Sequence, residues 1–142
     1  MADPMSISFF VPGRPRPQPR PRVYKTHTVS NNPQSLTWKN AVSWAFKETG
    51  AACIAEGPVA LAIAIILPRP KRLMRKKDPA GVVPCDRRPD LDNYAKAVMD
   101  ALSGLAFTDD GQVAIIRAEA VIAGKTEQPR SCVSIFLPCE VA

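Results

Sequence analysis

The 142-residue chain has one histidine, His27, and four cysteines, Cys53, Cys85, Cys132 and Cys139, none of them in a CxxC pair. A structural zinc site needs closely paired sulfur or imidazole ligands to preset its tetrahedron, so this spacing argues against one. Four dispersed thiols in a reducing compartment are expected to stay free and to sit mostly in the core. Long apolar runs are missing as well. The longest, from Val59 to Leu67, is about half of the ~20 residues that a membrane-spanning helix needs. The N-terminus carries Asp3 and has no basic region ahead of a hydrophobic one, unlike a secretory signal. A cytoplasmic protein with no membrane partner is the expectation. Gly124-Lys125-Thr126 has the ending of a P-loop, but the required first glycine would fall at Glu119, and no nucleotide cofactor is expected.

What is present begins with charge. At 46% hydrophobic and 23% charged the composition is that of a globular domain, and 142 residues make one domain rather than two. Formal net charge is +6, favouring polyanionic partners. The cations are concentrated. Five of the nineteen, Arg14, Arg16, Arg20, Arg22 and Lys25, lie in one short stretch, and eight more, Arg69, Lys71, Arg72, Arg75, Lys76, Lys77, Arg87 and Arg88, lie in another.

The first basic stretch, PGRPRPQPRPR at 12–22, lies in a Pro/Arg-rich arm over 12–36. Its prolines remove amide donors, which excludes helix and central strand and predicts an extended, polyproline-II-like arm. A stiff linker or a ligand for a proline-binding domain fits the prolines alone. The interleaved arginines favour contact with phosphates, because a rigid cationic arm loses little entropy on binding. The second stretch, over 68–88, is a polar loop with little periodicity. A loop of this length is usually functional or disordered.

Between them the hydrophobic periods alternate. Met5–Val11 reads as a strand, and Thr37–Glu48 as a helix capped by Thr37 with Trp38, Val42, Ala45 and Phe46 on its buried face. Val59–Leu67 reads as a central strand covered on both faces. Asp90–Ser103 reads as a second helix. Gln112–Ile122 and Ser131–Leu137 read as strands joined in an antiparallel hairpin by the turn around Gly124 and Pro129. The order β-α-β-α-β-β predicts a single α/β domain over 1–142, a mixed sheet with two main helices packed on it.

The second helix opens on acids directly after arginines: RRPDLDNYAKAVMD, from Arg87 to Asp100. Leu91, Ala95, Val98 and Leu102 define its apolar face, with Asp92, Lys96, Asp100 and Ser103 opposite. Ordinary helix chemistry accounts for these acids. Asp90 caps, Asp92 meets the positive end of the dipole, and Asp92, Lys96 and Asp100 form i,i+4 pairs. Aspartate is, however, a poorer helix former than glutamate, and its short side chain suits a rigid oxygen site for a hard cation. Asp109-Asp110 opens the next strand, where Gly111 also fits a plain turn. The helix rises ~16 Å from Asp92 to Ser103 at ~1.5 Å per residue. The seven residues on to Asp110 reach up to ~23 Å. A return of Asp110 beside Asp92 is thus just within reach of one chain, and supply of the acid by a partner subunit is the alternative. Carboxylates gathered there could not all stay ionised without a cation, and a divalent metal beside cationic arms is nuclease chemistry. Pro89-Asp90 lacks the downstream triplet of the PD-(D/E)xK nucleases.

DLDN at Asp90–Asn93, Lys96 one turn on, DAL at Asp100–Leu102 and DDGQV at Asp109–Val113 together resemble the RusA family of Holliday-junction resolvases. Three separated elements appear in order and spacing between Arg87 and Val113. The remainder matches by layout, and the basic segments ahead of DLDN are longer than the family's minimal pattern. The resemblance implies a homodimeric, Mg²⁺-dependent endonuclease, with Mn²⁺ as a substitute, that cuts four-way branched DNA symmetrically. It implies Asp90, Asp92 and Asp110 as the catalytic, metal-holding acids and Lys96 as the catalytic-site lysine. Asn93, Asp100 and Asp109 would stand behind them. The two basic segments would hold phosphates without reading bases. The rival reading is a non-catalytic basic DNA-binding protein whose acids only cap a helix.

Overall fold

The computed structural model describes residues 6–19, 22–23, 28–29, 33–86 and 90–138, with 22–23 and 28–29 described in their backbone only. Its strands are β1 (Ile7–Pro12), β2 (Arg22–Val23), β3 (Thr28–Val29), β4 (Val59–Leu67), β5 (Val83–Pro84), β6 (Val113–Ile122) and β7 (Arg130–Phe136). Its helices are α1 (Pro33–Glu48) and α2 (Leu91–Leu102). Single 3₁₀ turns stand at Lys71–Leu73 and Asp110–Gln112. Five strands form one mixed sheet in the order β1-β7-β4-β6-β5, and β2 and β3 make a small ribbon. The expected α/β class holds.

The helix α1 starts at Pro33, four residues before the expected cap at Thr37. Proline is preorganised for the first helical position, where its missing N–H costs nothing. Thr37 instead lies inside the helix, its Oγ1 donating to the Pro33 carbonyl at 2.8 Å. Gly50, with φ +72°, takes the left-handed position just past the end. Trp38, Val42 and Phe46, four apart, are buried, and the Phe46 ring meets Phe9 of β1 edge-on at 6.1 Å. Along α2 the buried set is wider: Tyr94, Ala95, Ala97, Val98, Ala101 and Leu102. Its alanines let it lie close to α1, where Ser43 Oγ donates to the Ala101 carbonyl at 2.8 Å. One core joins both helices to Leu61, Ile63 and Ile65 of β4 and to Phe9, Val11, Val133 and Ile135.

Three expectations are corrected. First, β6 and β7 do not pair. Between them lies β4, parallel to β6 across the α2 crossover and antiparallel to β7. The near-continuously apolar β4 gains most from the centre, and residues 123–129 easily span two strand spacings of ~5 Å each. Second, β4 is central but not sealed on both faces. Ala62 and Ala64 are half-exposed in a shallow depression shared with Arg117, Glu119, Cys132 and Ser134. Third, the described cysteines are outside disulfides, as expected, but none is a buried core residue: Cys53 is exposed, and Cys85 and Cys132 are half-buried.

The basic segments are also more structured than expected. Pro15 of the first arm is fully buried, and the Gln18 N–H donates to the Asn93 carbonyl of α2 at 2.9 Å. Residues 14–19 are thus docked on the domain, which removes the linker reading for them. Within the 68–84 loop, Arg69 donates to the carbonyls of Leu73, Pro79, Gly81 and Ala123. Arg75 pairs with Asp78 through two nitrogens, at 3.1 and 3.2 Å. That hydrogen-bonded pair holds the Asp78 carboxyl below the usual carboxylate range. The loop closes on the sheet through β5, which pairs with β6.

Candidate functional site

The face of α2 away from the core carries Asp92, Lys96 and Asp100, all exposed, with Asn93 and Met99 half-exposed beside them. They form one wall of a cleft of about 860 Å³. Gln18 and Pro19 of the docked arm form another, and Asp110 and Ile116 close the third. The chain therefore does return beside its own helix, and Asp92, Asp100 and Asp110 share the cleft.

The i,i+4 ladder expected along α2 is absent. Asp100 is held by Lys39 of α1, with Nζ to Oδ2 at 3.3 Å. Among the described residues Asp92, Lys96 and Asp110 have no ion-pair or hydrogen-bond partner from a side chain. Asp90 stands at the N-cap with extended backbone (φ −68°, ψ 137°), but its side chain makes no capping bond and lies outside the cleft wall. A side-chain capping bond thus does not account for Asp90, while Asp92 stands in the first turn, at the positive end of the helix dipole.

Asp110 reaches the cleft on a tightly tied turn. Asp109 Oδ2 accepts from the Gly111 N–H at 3.0 Å, and Gln112 Oε1 accepts from the Asp109 N–H at 3.0 Å. A Cβ at Gly111 would stand 2.6 Å from Asp109 Oδ2, so glycine is required for this cap. Asp109 is therefore a turn residue and does not line the cleft. Just beyond, the pairing of β6 with β4 skips Ala114, since Val59 opposes Val113 and Ala60 opposes Ile115. Such an irregularity re-aims side chains, and Ile116 faces the cleft.

The donor chemistry is uniformly hard oxygen, from carboxylates with the Asn93 amide beside them. Among the described residues no three His, Cys, Asp or Glu side chains converge as a compact metal cage. Mg²⁺ does not require one; it binds through one or two carboxylates and keeps several waters, for which the cleft has room. The residues present fit a hydrated Mg²⁺ held by Asp92 or Asp110, not a fully protein-enclosed ion.

The cations divide by structure. Arg69 and Arg75 are engaged inside the loop, Arg69 with four backbone carbonyls and Arg75 with Asp78. Lys71, Arg72, Lys76 and Lys77 project from the same loop, exposed and without a side-chain partner among the described residues. Arg14 and Arg16 border a groove of about 310 Å³ with Thr37, Trp38 and Ala41 of α1. They also sit near Tyr94, whose hydroxyl is pushed up to about 12 by burial, a rise that their positive charge partly opposes. Arg20, Lys25, Arg87 and Arg88 and the Arg22 side chain lie outside the described residues. Gln18, Lys39 and Gln112 were not foreseen. Lys39 and Gln112 act on partners more than fifty residues away in the chain, and no local pattern marks such contacts.

A mixed sheet with two helices packed on it and an open, carboxylate-lined cleft that includes Lys96 defines a class, a single-domain α/β protein with an acidic surface site. Residues 12–135, most of the chain, match the family Endodeoxyribonuclease RusA. The chain belongs to that family of endodeoxyribonucleases. It is also similar to the uncharacterized protein YqaN of Bacillus subtilis (strain 168), at 33% identity over 133 residues, which cover 87% of this chain and 91% of that protein.

Proposed function

We propose that the protein is a Mg²⁺-dependent, structure-selective endonuclease that resolves four-way DNA junctions by paired nicks on opposite strands, acting as a homodimer in the cytoplasm. The observation that carries this reading is the single cleft shared by Asp92, Asp110 and Lys96, none of them neutralised by a neighbour. Exposed acids without partners, on a chain of net positive charge, favour a site that waits for a cation.

Asp90, Asp92 and Asp110 are the proposed catalytic acids, with Asp92 and Asp110 as the cleft's metal-holding pair and Asp90 acting from the helix entrance. Bound Mg²⁺ would supply charge neutralisation at the phosphodiester and a more acidic water. Lys96, one turn from Asp92, would bind a non-bridging phosphate oxygen at the open side of the cleft. Asp100, tied to Lys39, would keep α2 seated on α1 at the wall of the cleft. Asn93, pinned through its carbonyl to Gln18, would orient the entrance. Lys71, Arg72, Lys76 and Lys77 from the loop, and Arg14 and Arg16 from the arm, would hold phosphates along the branch. Two-fold symmetry in a dimer would bring two such clefts to a two-fold substrate. No described helix is long and apolar enough to cross a membrane.

The test is strand cleavage of a synthetic mobile four-way junction beside a matched linear duplex, with Mg²⁺ or EDTA, by the parent chain and by Asp92→Asn. Paired opposite nicks in the junction alone, abolished by EDTA and reduced more than about 100-fold in the variant, are expected; outer-shell changes cost at most about that. Binding without cleavage under any divalent metal would leave a basic DNA-binding protein.

A further inference from the structure

Asp110 sits in a single 3₁₀ turn, which is too short to be stiff by itself. Its own side chain makes no bond, and yet a carboxylate that serves a cation must be held in place. The holding falls to its neighbour. Gln112 is half-buried, lies outside the cleft and uses both ends of its amide. Oε1 accepts from the Asp109 N–H at 3.0 Å. Nε2 donates to the Ile54 and Gly57 carbonyls, each at 3.1 Å. These carbonyls belong to the connection between α1 and β4, so the turn is fixed to a distant part of the domain.

We propose that Gln112 is a positioning residue that sets where the Asp110 carboxylate stands in the cleft. This rests on the reading of Asp110 as a metal-holding acid. The chemistry is specific to the amide. The site needs one acceptor facing the Asp109 N–H and two donors facing two carbonyls. Glutamate keeps the acceptor but sets a carboxylate oxygen against both carbonyl oxygens, and alanine removes every bond. A second tether of the same segment serves as control: Thr108 Oγ1 donates to the Ala55 carbonyl at 3.0 Å without touching the 109–112 turn.

The experiment uses the full chain and its Gln112→Glu, Gln112→Ala, Thr108→Val and Asp110→Asn variants. Mn²⁺ binding is titrated without DNA by paramagnetic resonance of the free ion. Junction affinity is measured in EDTA, and amide exchange is followed at Asp109 and Gly111. Both Gln112 variants should raise the Mn²⁺ midpoint about 10- to 100-fold, as loss of an orienting partner does, and leave junction affinity within about twofold. They should speed exchange at Asp109 and Gly111, and their cleavage should recover at high Mn²⁺. Thr108→Val should leave the midpoint within about twofold, its tether lying outside the turn.

Normal Mn²⁺ binding by the Gln112 variants, with loss in Asp110→Asn, would refute the positioning role alone. Normal binding by Asp110→Asn would refute the metal reading of Asp110 and this role with it. A Thr108→Val midpoint shifted as far as the Gln112 variants, or failure of both Gln112 variants to fold, would assign Gln112 to general stability and overturn the proposal.

Discussion

Arg69 and Arg72 are three residues apart in one basic loop, yet the structure gives them opposite duties. All of the Arg69 contacts are backbone carbonyls of its own loop and of Ala123, whereas Arg72 is exposed. Removing a guanidinium that satisfies several carbonyls leaves the part-buried acceptors of Leu73 and Ala123 unpaired, while those of Pro79 and Gly81 are exposed to water. Arg69→Ala should therefore lose about 3 kcal/mol of unfolding free energy in denaturant titration, roughly the scale of one or two charged hydrogen bonds. Arg72→Ala should leave stability unchanged within about 0.5 kcal/mol, as exposed substitutions do. Tyr94 gives a second residue-scale expectation. Its hydroxyl titrates near 12 in the fold and near the ordinary 10 when unfolded. Between these values the folded state holds more protons, so stability falls as pH rises from about 10 to about 12. Tyr94→Phe should flatten that limb of the stability profile.

Among the elements, α2 has two faces with incompatible demands. One is packed with alanines to approach α1, and the other carries the acids. Ala97 is fully buried on the packed face. Ala97→Leu should push α2 outward and cost about 1–3 kcal/mol, the usual range for overpacking. Because the same helix carries Asp92, nuclease activity should fall further than the lost stability alone would explain, as read by activity at a temperature where the variant remains folded. The docked arm is the other element with two roles. Buried Pro15 and the bond from Gln18 to α2 make it part of the domain, while Arg14 and Arg16 stay at its surface. Its prolines, which excluded helix and central strand from sequence, also fix the extended path that lets it wall the cleft.

For the whole molecule, net charge acts through distribution. Lys71, Arg72, Lys76 and Lys77 share one loop, which is anchored by Arg69, by the Arg75–Asp78 pair and by Lys125 bonding the Arg75 carbonyl at 2.6 Å. Each exposed cation that meets a phosphate should add about 0.9 to the slope of log affinity against log salt. Replacing Lys71 and Arg72 together by alanine should lower the junction-binding slope by about 2, with little effect on the choice between junction and duplex. Equal loss on both substrates at one salt concentration, with an unchanged slope, would count against phosphate contact by this loop.

How far the sequence reaches depends on the range of the forces involved. The two helices, the strands β1, β4, β6 and β7, and the mixed α/β class follow from hydrophobic period and turn chemistry, which act over a few residues. So does the acidic character of α2. The spacing of DLDN, Lys96 and DDGQV was specific enough to indicate the family before any fold was considered. Tertiary structure decided the rest, because it depended on contacts between distant segments. The placement of β4 between β6 and β7 follows from which strand gains most by burial, and turn residues carry no such comparison. The separation of Arg69 from Lys71 as tether and exposed cation depends on how the loop folds its own Leu73, Pro79 and Gly81 carbonyls, and the distant Ala123 carbonyl, around one guanidinium. The cleft itself is the clearest case. Asp92 was legible as an acid on a helix and Asp110 as an acid in a turn, but only the crossover from α2 into β6, fastened by Gln112, brings them to the same space.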